Sequence, residues 1–196
     1  RRTLVGALGI TWLWLAVLRW SSMRPLVEAW GSIGEVALAG VAFGRIVLWS
    51  VSMDARKMTL PSLLDPKIAR IAIANPKHAP YGQRAVEALR AAGVWAQVEP
   101  KLVYGDNIAQ TAQFVQTGNA ELGFVALSQV WKDGRLASGS GWVIPAGQHQ
   151  PIRQDAVLLS RASGNPAARA LLDYLRSSAG RQTIQAYGYD LHKIDN

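Results

Sequence analysis

The stretch Ile68–Gly93, IARIAIANPKHAPYGQRAVEALRAAG, constrains the fold of this chain more than any other. Ile68–Ala74 alternates and is rich in isoleucine, so it reads as a buried strand. A loop with two prolines, Pro76 and Pro80, follows. Gly82 then opens a helix whose apolar positions Ala85, Val86, Leu89 and Ala92 share one face, and Gly93 stops it. A strand, a proline-stiffened loop and a helix start leave free backbone N–H groups on the first helical turn. Orphan donors and the helix macrodipole act together there, so such a terminus suits an anion. Spacing alone favours an ordinary βα loop that binds nothing.

The next segment repeats the construction. Leu102-Val103 is a short strand, and Asp106-Asn107 makes a good N-cap. The helix Ile108–Thr117 places Ile108, Thr111, Ala112 and Val115 on one face, with Gly118 just past its end. Leu122–Leu127 is an apolar run fit for a buried strand. Strand–helix–strand–helix–strand implies right-handed crossovers and a parallel sheet. In such sheets ligands gather at the carboxyl ends of the strands. The loops at Tyr81 and Ile108 are therefore expected side by side.

Around this centre, Arg45–Trp49 is a strand by its β-branched and aromatic content. Thr59–Leu64 is a short helical turn ended by Asp65-Pro66. Gly134–Gly141 reads as a flexible loop, and Ala156–Ser160 as a strand. Asn165-Pro166 caps a helix Ala167–Arg176 whose apolar face is Ala170, Leu171, Tyr174 and Leu175. Ser178–Tyr187 is a last helix, ended by Gly188.

At the other end, Arg1-Arg2 precede an apolar run from Leu4 to Leu18, closed by Arg19. A basic segment before an apolar one reads as a secretory signal, so residues 1–20 are expected to be a leader. The run is short of the roughly 20 residues of a membrane span, and a signal anchor is the alternative. Trp20–Val41 is the least legible part; Arg24-Pro25 starts a helix that Gly31 and Gly34 break.

Composition removes several classes of chemistry. The 196 residues contain no cysteine, which excludes disulfides, thiolate metal sites and cysteine nucleophiles. His78, His149 and His192 lack partners at metal-ligand spacing. No nucleotide-binding fingerprint or nucleophile elbow is present, and Ser128 has no base nearby, so no enzyme and no cofactor is expected. A net charge of +8 raises the prior for an anionic partner. Basic residues nonetheless sit beside acids along most of the chain, and no basic stripe or nucleic-acid module is visible.

Four stretches, IAIANPKHAPYGQRAVEAL, GRIVLWS at Gly44–Ser50, KLVYGDNIAQTAQFVQTGNAELGFVALS at Lys101–Ser128 and LLDYLRSSAGRQTIQAYGY at Leu171–Tyr189, occur in order. Together they resemble the periplasmic molybdate-binding proteins of ABC transporters, the ModA family. The resemblance implies an α/β, type II periplasmic-binding fold with one complete parallel-sheet lobe, residues 52–146. An incomplete first lobe would comprise 21–51 and 147–196, with Arg45–Trp49 and Ala156–Ser160 side by side as a hinge. It implies a monomeric, periplasmic solute-binding protein that delivers molybdate or tungstate to an ABC permease in the inner membrane. The backbone N–H groups of Tyr81 and Ile108 would hold the oxyanion, supported by Pro80, Gly82, Asn107 and Ala126. Some members add a tyrosine hydroxyl where this chain has Ala126, so that donor is absent. Neutral donors suit a divalent tetrahedral anion, and cavity size then sets the choice among anions. The family's first-lobe donors have no counterpart in Trp20–Val41. A shortened first lobe, poor or absent molybdate binding and an uncovered apolar face of Trp49, Leu158, Leu171 and Leu175 are the expectations. A ligand-sensing domain of a transcription regulator and a non-functional fragment are the alternatives.

Overall fold

The computed structural model describes residues 37–132, 134–159 and 162–191. The expected leader and the helix begun at Arg24-Pro25 lie outside the described residues, as does Ser160. In chain order the elements are β1 (Ala37–Gly44), β2 (Ile46–Ser50), β3 (Ile71–Ala74), α1 (Pro80–Ala91), β4 (Leu102–Gly105) and α2 (Ile108–Gln116). They continue with β5 (Leu122–Ala126), β6 (Trp131–Lys132), β7 (Arg135–Leu136), β8 (Ser140–Val143), β9 (Ile152–Leu158), α3 (Pro166–Arg176) and α4 (Ser178–Ala186). The chain forms two compact units, one of Gly44–Ile152 with Gln185–Asp190, the other including Arg153–Ile184.

The larger unit is built on a five-stranded sheet in the order β4-β3-β5-β2-β8. β3 runs parallel to β4, with Ala74 opposite Gly105, and parallel to β5, with Ile71 opposite Leu122. β2 is antiparallel to both β5 and β8. Alternate residues of each strand feed opposite faces. On one face Ile46, Leu48, Ile71, Ile73, Leu122 and Phe124 pack with Leu60, Leu63, Ala85 and Leu89, so α1 covers it. On the other Val47, Trp49, Ala72 and Val125 pack with Ala112 and Val115, which belong to α2. Every residue of β2, β3 and β5 is buried, which explains their unbroken apolar runs. Burying a leucine as fully as Leu89 contributes about 2 kcal/mol.

In the smaller unit β1 pairs with β9. Leu158 and Leu172 form its described core, with Val41, Ala156 and Ala168 against them. The Asn165 side-chain oxygen accepts from the Ala167 N–H at 3.0 Å and caps α3, as its sequence suggests.

Four expectations need correction. The sheet is mixed rather than wholly parallel, because β2 runs against its neighbours. β2 and β9 are not side by side: they lie in different sheets, and β9 pairs with β1. RIVLW is apolar at successive positions, and burial on both faces is found inside a sheet, not at a two-stranded link. Gly134–Gly141 is not simply a loop, for it holds β7 and the first half of β8. Gly141 marks close approach, since a Cβ there would lie 2.7 Å from a Val47 methyl. Finally, Trp49 is 0% exposed and Leu158 is buried, so neither is uncovered. In α3 the buried residue is Leu172, whereas Leu171 and Tyr174 of the expected apolar face are exposed.

Candidate functional site

The loop from β3 to α1 is wound by one asparagine. The Asn75 side-chain oxygen accepts from the Lys77 N–H at 3.0 Å, and its carbonyl accepts from the His78 and Ala79 N–H groups at 3.3 and 2.9 Å. The loop delivers Pro80 to the first helical position, two residues before the expected start, where its fixed φ and missing N–H cost nothing. Ala79, the N-cap, has no side-chain acceptor. Among the described residues the N–H groups of Tyr81 and Gly82 therefore have no partner, and the first bond of the helix runs from Gln83 N–H to Ala79 O at 3.1 Å. Gly82 has to be glycine: a Cβ would lie 1.9 Å from the Ala74 carbonyl oxygen. This close approach draws the helix start onto the end of β3.

The loop from β4 to α2 is capped more fully. The Asn107 side-chain oxygen accepts from the Gln110 N–H at 2.9 Å, while Gln110 Oε1 accepts from the Asp106 N–H at 2.6 Å. This reciprocal pairing is a variant of the capping box. It leaves the N–H groups of Ile108 and Ala109 without a partner among the described residues.

The two loops are brought together, as the order of strands predicts. The Asn75 N–H donates to the Gly105 carbonyl at 2.8 Å, and His78 Nε2 lies 2.9 Å from the Asp106 carbonyl oxygen. Neither first turn contains an acidic residue. Two helix N-termini thus bring open N–H groups and positive macrodipole ends to one edge of the sheet. Ala126 ends β5, the strand on the other side of β3, and is 3% exposed. Its methyl group offers no donor, and the neighbouring Leu127 N–H is already committed to the Arg45 carbonyl at 2.9 Å.

Sequence reasoning missed what the Tyr81 side chain does. It packs against the core face that α1 covers. Burial, and secondarily Tyr189, pushes its phenol well above the ordinary range, so it stays protonated. Lys77 and His78 are exposed as expected, but the link from His78 to Asp106 was not foreseen. Among the described residues no three His, Asp or Glu side chains could hold a metal ion together. His192 lies outside them. No described helix is long and apolar enough to cross a membrane.

Residues 20–190 match the family model of bacterial extracellular solute-binding proteins. The chain is 51% identical over 150 residues to the molybdate-binding protein ModA of Azotobacter vinelandii, covering 76% of this chain and 60% of that protein. It is 44% identical over 149 residues to ModA of Rhodobacter capsulatus, covering 76% and 57%. It thus spans about three fifths of the length of these relatives. The solved periplasmic molybdate-binding protein of Azotobacter vinelandii superposes with a TM-score of 0.76 at 26% identity, covering 88% of this chain and 76% of that one. The likeness bears out the expected type II periplasmic-binding fold.

Proposed function

The chain belongs to the bacterial extracellular solute-binding proteins, and from that premise we propose that it is the molybdate- or tungstate-binding component of an ABC importer. One observation carries this reading. Two helix N-termini, locked together by His78 and Asp106, leave the N–H groups of Tyr81, Gly82, Ile108 and Ala109 open at one sheet edge. Such donors favour an oxyanion and hold it without a counter-charge that could titrate.

On this reading Tyr81 and Ile108 donate to the oxyanion. Pro80 and Gly82 shape the first turn, Asn107 caps the second, and Ala126 walls the site without donating. The chemistry is binding and release, with no bond made or broken, so neither catalytic residue nor cofactor is assigned. The protein acts as a periplasmic monomer that hands its anion to an inner-membrane permease. The larger unit, Gly44–Ile152 with Gln185–Asp190, is the second lobe, and the unit that includes Arg153–Ile184 belongs to the first, so the lobe bounds 52–146 read from the sequence are too narrow.

The names of the relatives support molybdate over other oxyanions. With donors located at Tyr81 and Ile108 alone, weak binding is expected of these 196 residues, so selectivity is the deciding quantity. Calorimetric titration with molybdate, tungstate and sulfate tests the proposal. Molybdate and tungstate should bind at least about tenfold better than sulfate, a difference of 1.4 kcal/mol. Equal responses to all three, or none, would refute it.

A further inference from the structure

Tyr81 joins two features that its sequence position does not connect. Its N–H belongs to the open first turn of α1, while its ring is packed inward. The ring lies directly over Gly44. A Cβ on Gly44 would stand 2.2 Å from the phenol oxygen, 2.9 Å from Cζ and 3.3 Å from the Ile152 Cγ2 methyl. Gly44 needs no positive φ, so this glycine provides space and not a special turn. Gly44 ends β1 and Ile152 begins β9, and these two residues bound the main segment of the larger unit.

We propose that Tyr81 is a positioning residue: its ring, seated with its phenol end against Gly44, fixes the first turn of α1 and so the direction of the Tyr81 and Gly82 N–H groups. The inference rests on the anion-site reading of those groups. Three anchors hold the turn. Pro80 fixes its φ, Gly82 abuts the Ala74 carbonyl, and the ring occupies the slot that Gly44 leaves open. The first two act on the backbone at the end of β3. The third ties the turn to Gly44, at the end of β1, through one side chain.

The test uses Gly44→Ala, Tyr81→Ala and the double variant Gly44→Ala/Tyr81→Ala, with Gly147→Ala as control because a Cβ at Gly147 meets nothing within 4 Å. Amide exchange at Gln83, the first bonded N–H of the helix, is read by NMR relative to Ile73 in the core strand, and molybdate is titrated into each variant. Gly44→Ala and Tyr81→Ala should each speed Gln83 exchange relative to Ile73, and each should weaken molybdate binding, by about tenfold. The double variant should be no worse than Tyr81→Ala, since the added methyl then finds space. Gly147→Ala should behave like the parent. Unchanged relative exchange in Gly44→Ala, or losses that add in the double variant, would overturn the proposal. If Tyr81→Ala does not fold, Gly44→Ala decides alone. A parent protein that ignores molybdate would defeat the anion reading, while the exchange ratio would still decide the positioning role.

Discussion

The imidazole Nε2 of His78 lies 2.9 Å from the carbonyl oxygen of Asp106, so a side chain of the first site loop closes on the backbone of the second. A carbonyl can only accept, which makes Nε2 the protonated nitrogen of that ring. The bond reinforces the Asn75–Gly105 backbone link beneath it. His78→Ala should therefore loosen the relative placement of the two helix starts without unfolding the protein. A net hydrogen bond is worth about 1 kcal/mol, so molybdate affinity should fall roughly fivefold with the melting temperature nearly unchanged. His78→Gln, which retains a donor, should recover part of the loss. An unaltered titration in His78→Ala would show that the loops hold their spacing without it.

The donors proposed at Tyr81 and Ile108 are backbone groups, and substitution can separate them from their side chains. Ile108 is the first residue of α2, a position that accepts proline, so Ile108→Pro deletes the N–H and keeps the helix. A hydrogen bond to a charged group contributes about 1.5–3 kcal/mol, so affinity should drop by roughly one to two decades. Ile108→Val should retain binding. Tyr81→Phe keeps the N–H and the ring and should bind almost normally. Calorimetry on the three variants checks the assignment; loss in Tyr81→Phe with none in Ile108→Pro would reverse it.

The two helix starts that carry Tyr81 and Ile108 were legible in the sequence because each rests on local grammar. Asn107 announces the second helix start and the proline loop before Gly82 places the first to within two residues, while Gly93 and Gly118, both at positive φ, announce the ends. Apolar strands read as buried for the same reason. What was not legible is pairing over distance. Arg45–Trp49 is unmistakably a strand, yet its partners are β5 and β8, nearly 80 and 95 residues onward, and nothing local in RIVLW states that. Gly141 reads as flexibility until Val47 is seen beside it. Leu171 and Leu172 are indistinguishable by composition, and only what lies across from α3 decides which is buried. The role of the Tyr81 ring depends on Gly44, 37 positions earlier, and no periodicity reports it.

Gly82 offers a test of the fold at the site itself. The obstacle to a side chain there is the Ala74 carbonyl oxygen, 1.9 Å from the added Cβ, and a backbone group at the end of a buried strand paired on both sides has little room to swing aside. Gly82→Ala should therefore cost about 2–3 kcal/mol of stability, although alanine is the better helix former. Gly147→Ala, with open space around it, should change stability by less than about 0.5 kcal/mol. Urea unfolding of both variants measures the difference. Equal midpoints would mean that α1 can slide away from β3, and that the helix start is not held in register with the strand.

Glu121 sets an acid limit on the same sheet. Its carboxylate accepts from the backbone N–H groups of Ala69 and Arg70 at 3.2 and 2.6 Å and from the Arg70 guanidinium at 3.2 Å. It thereby ties the segment entering β3 to the residue that precedes β5. Burial acts to raise its pKa, but the hydrogen bonds from the Arg70 backbone and side chain outweigh it and hold the carboxyl below its ordinary 4.5. A depressed carboxylate stabilises the fold fully above its ordinary value, and the contribution is lost as pH falls through the lower folded value. Glu121→Gln should thus be less stable than the parent by about 1–2 kcal/mol at pH 7, the partial exposure of the pair limiting the effect. The gap should shrink steadily below about pH 4.5 and close once the parent's carboxyl is protonated. Urea titrations of both proteins at intervals from pH 7 to 3 measure it. A gap that stayed constant across that range would assign the loss to packing at position 121 and not to its charge.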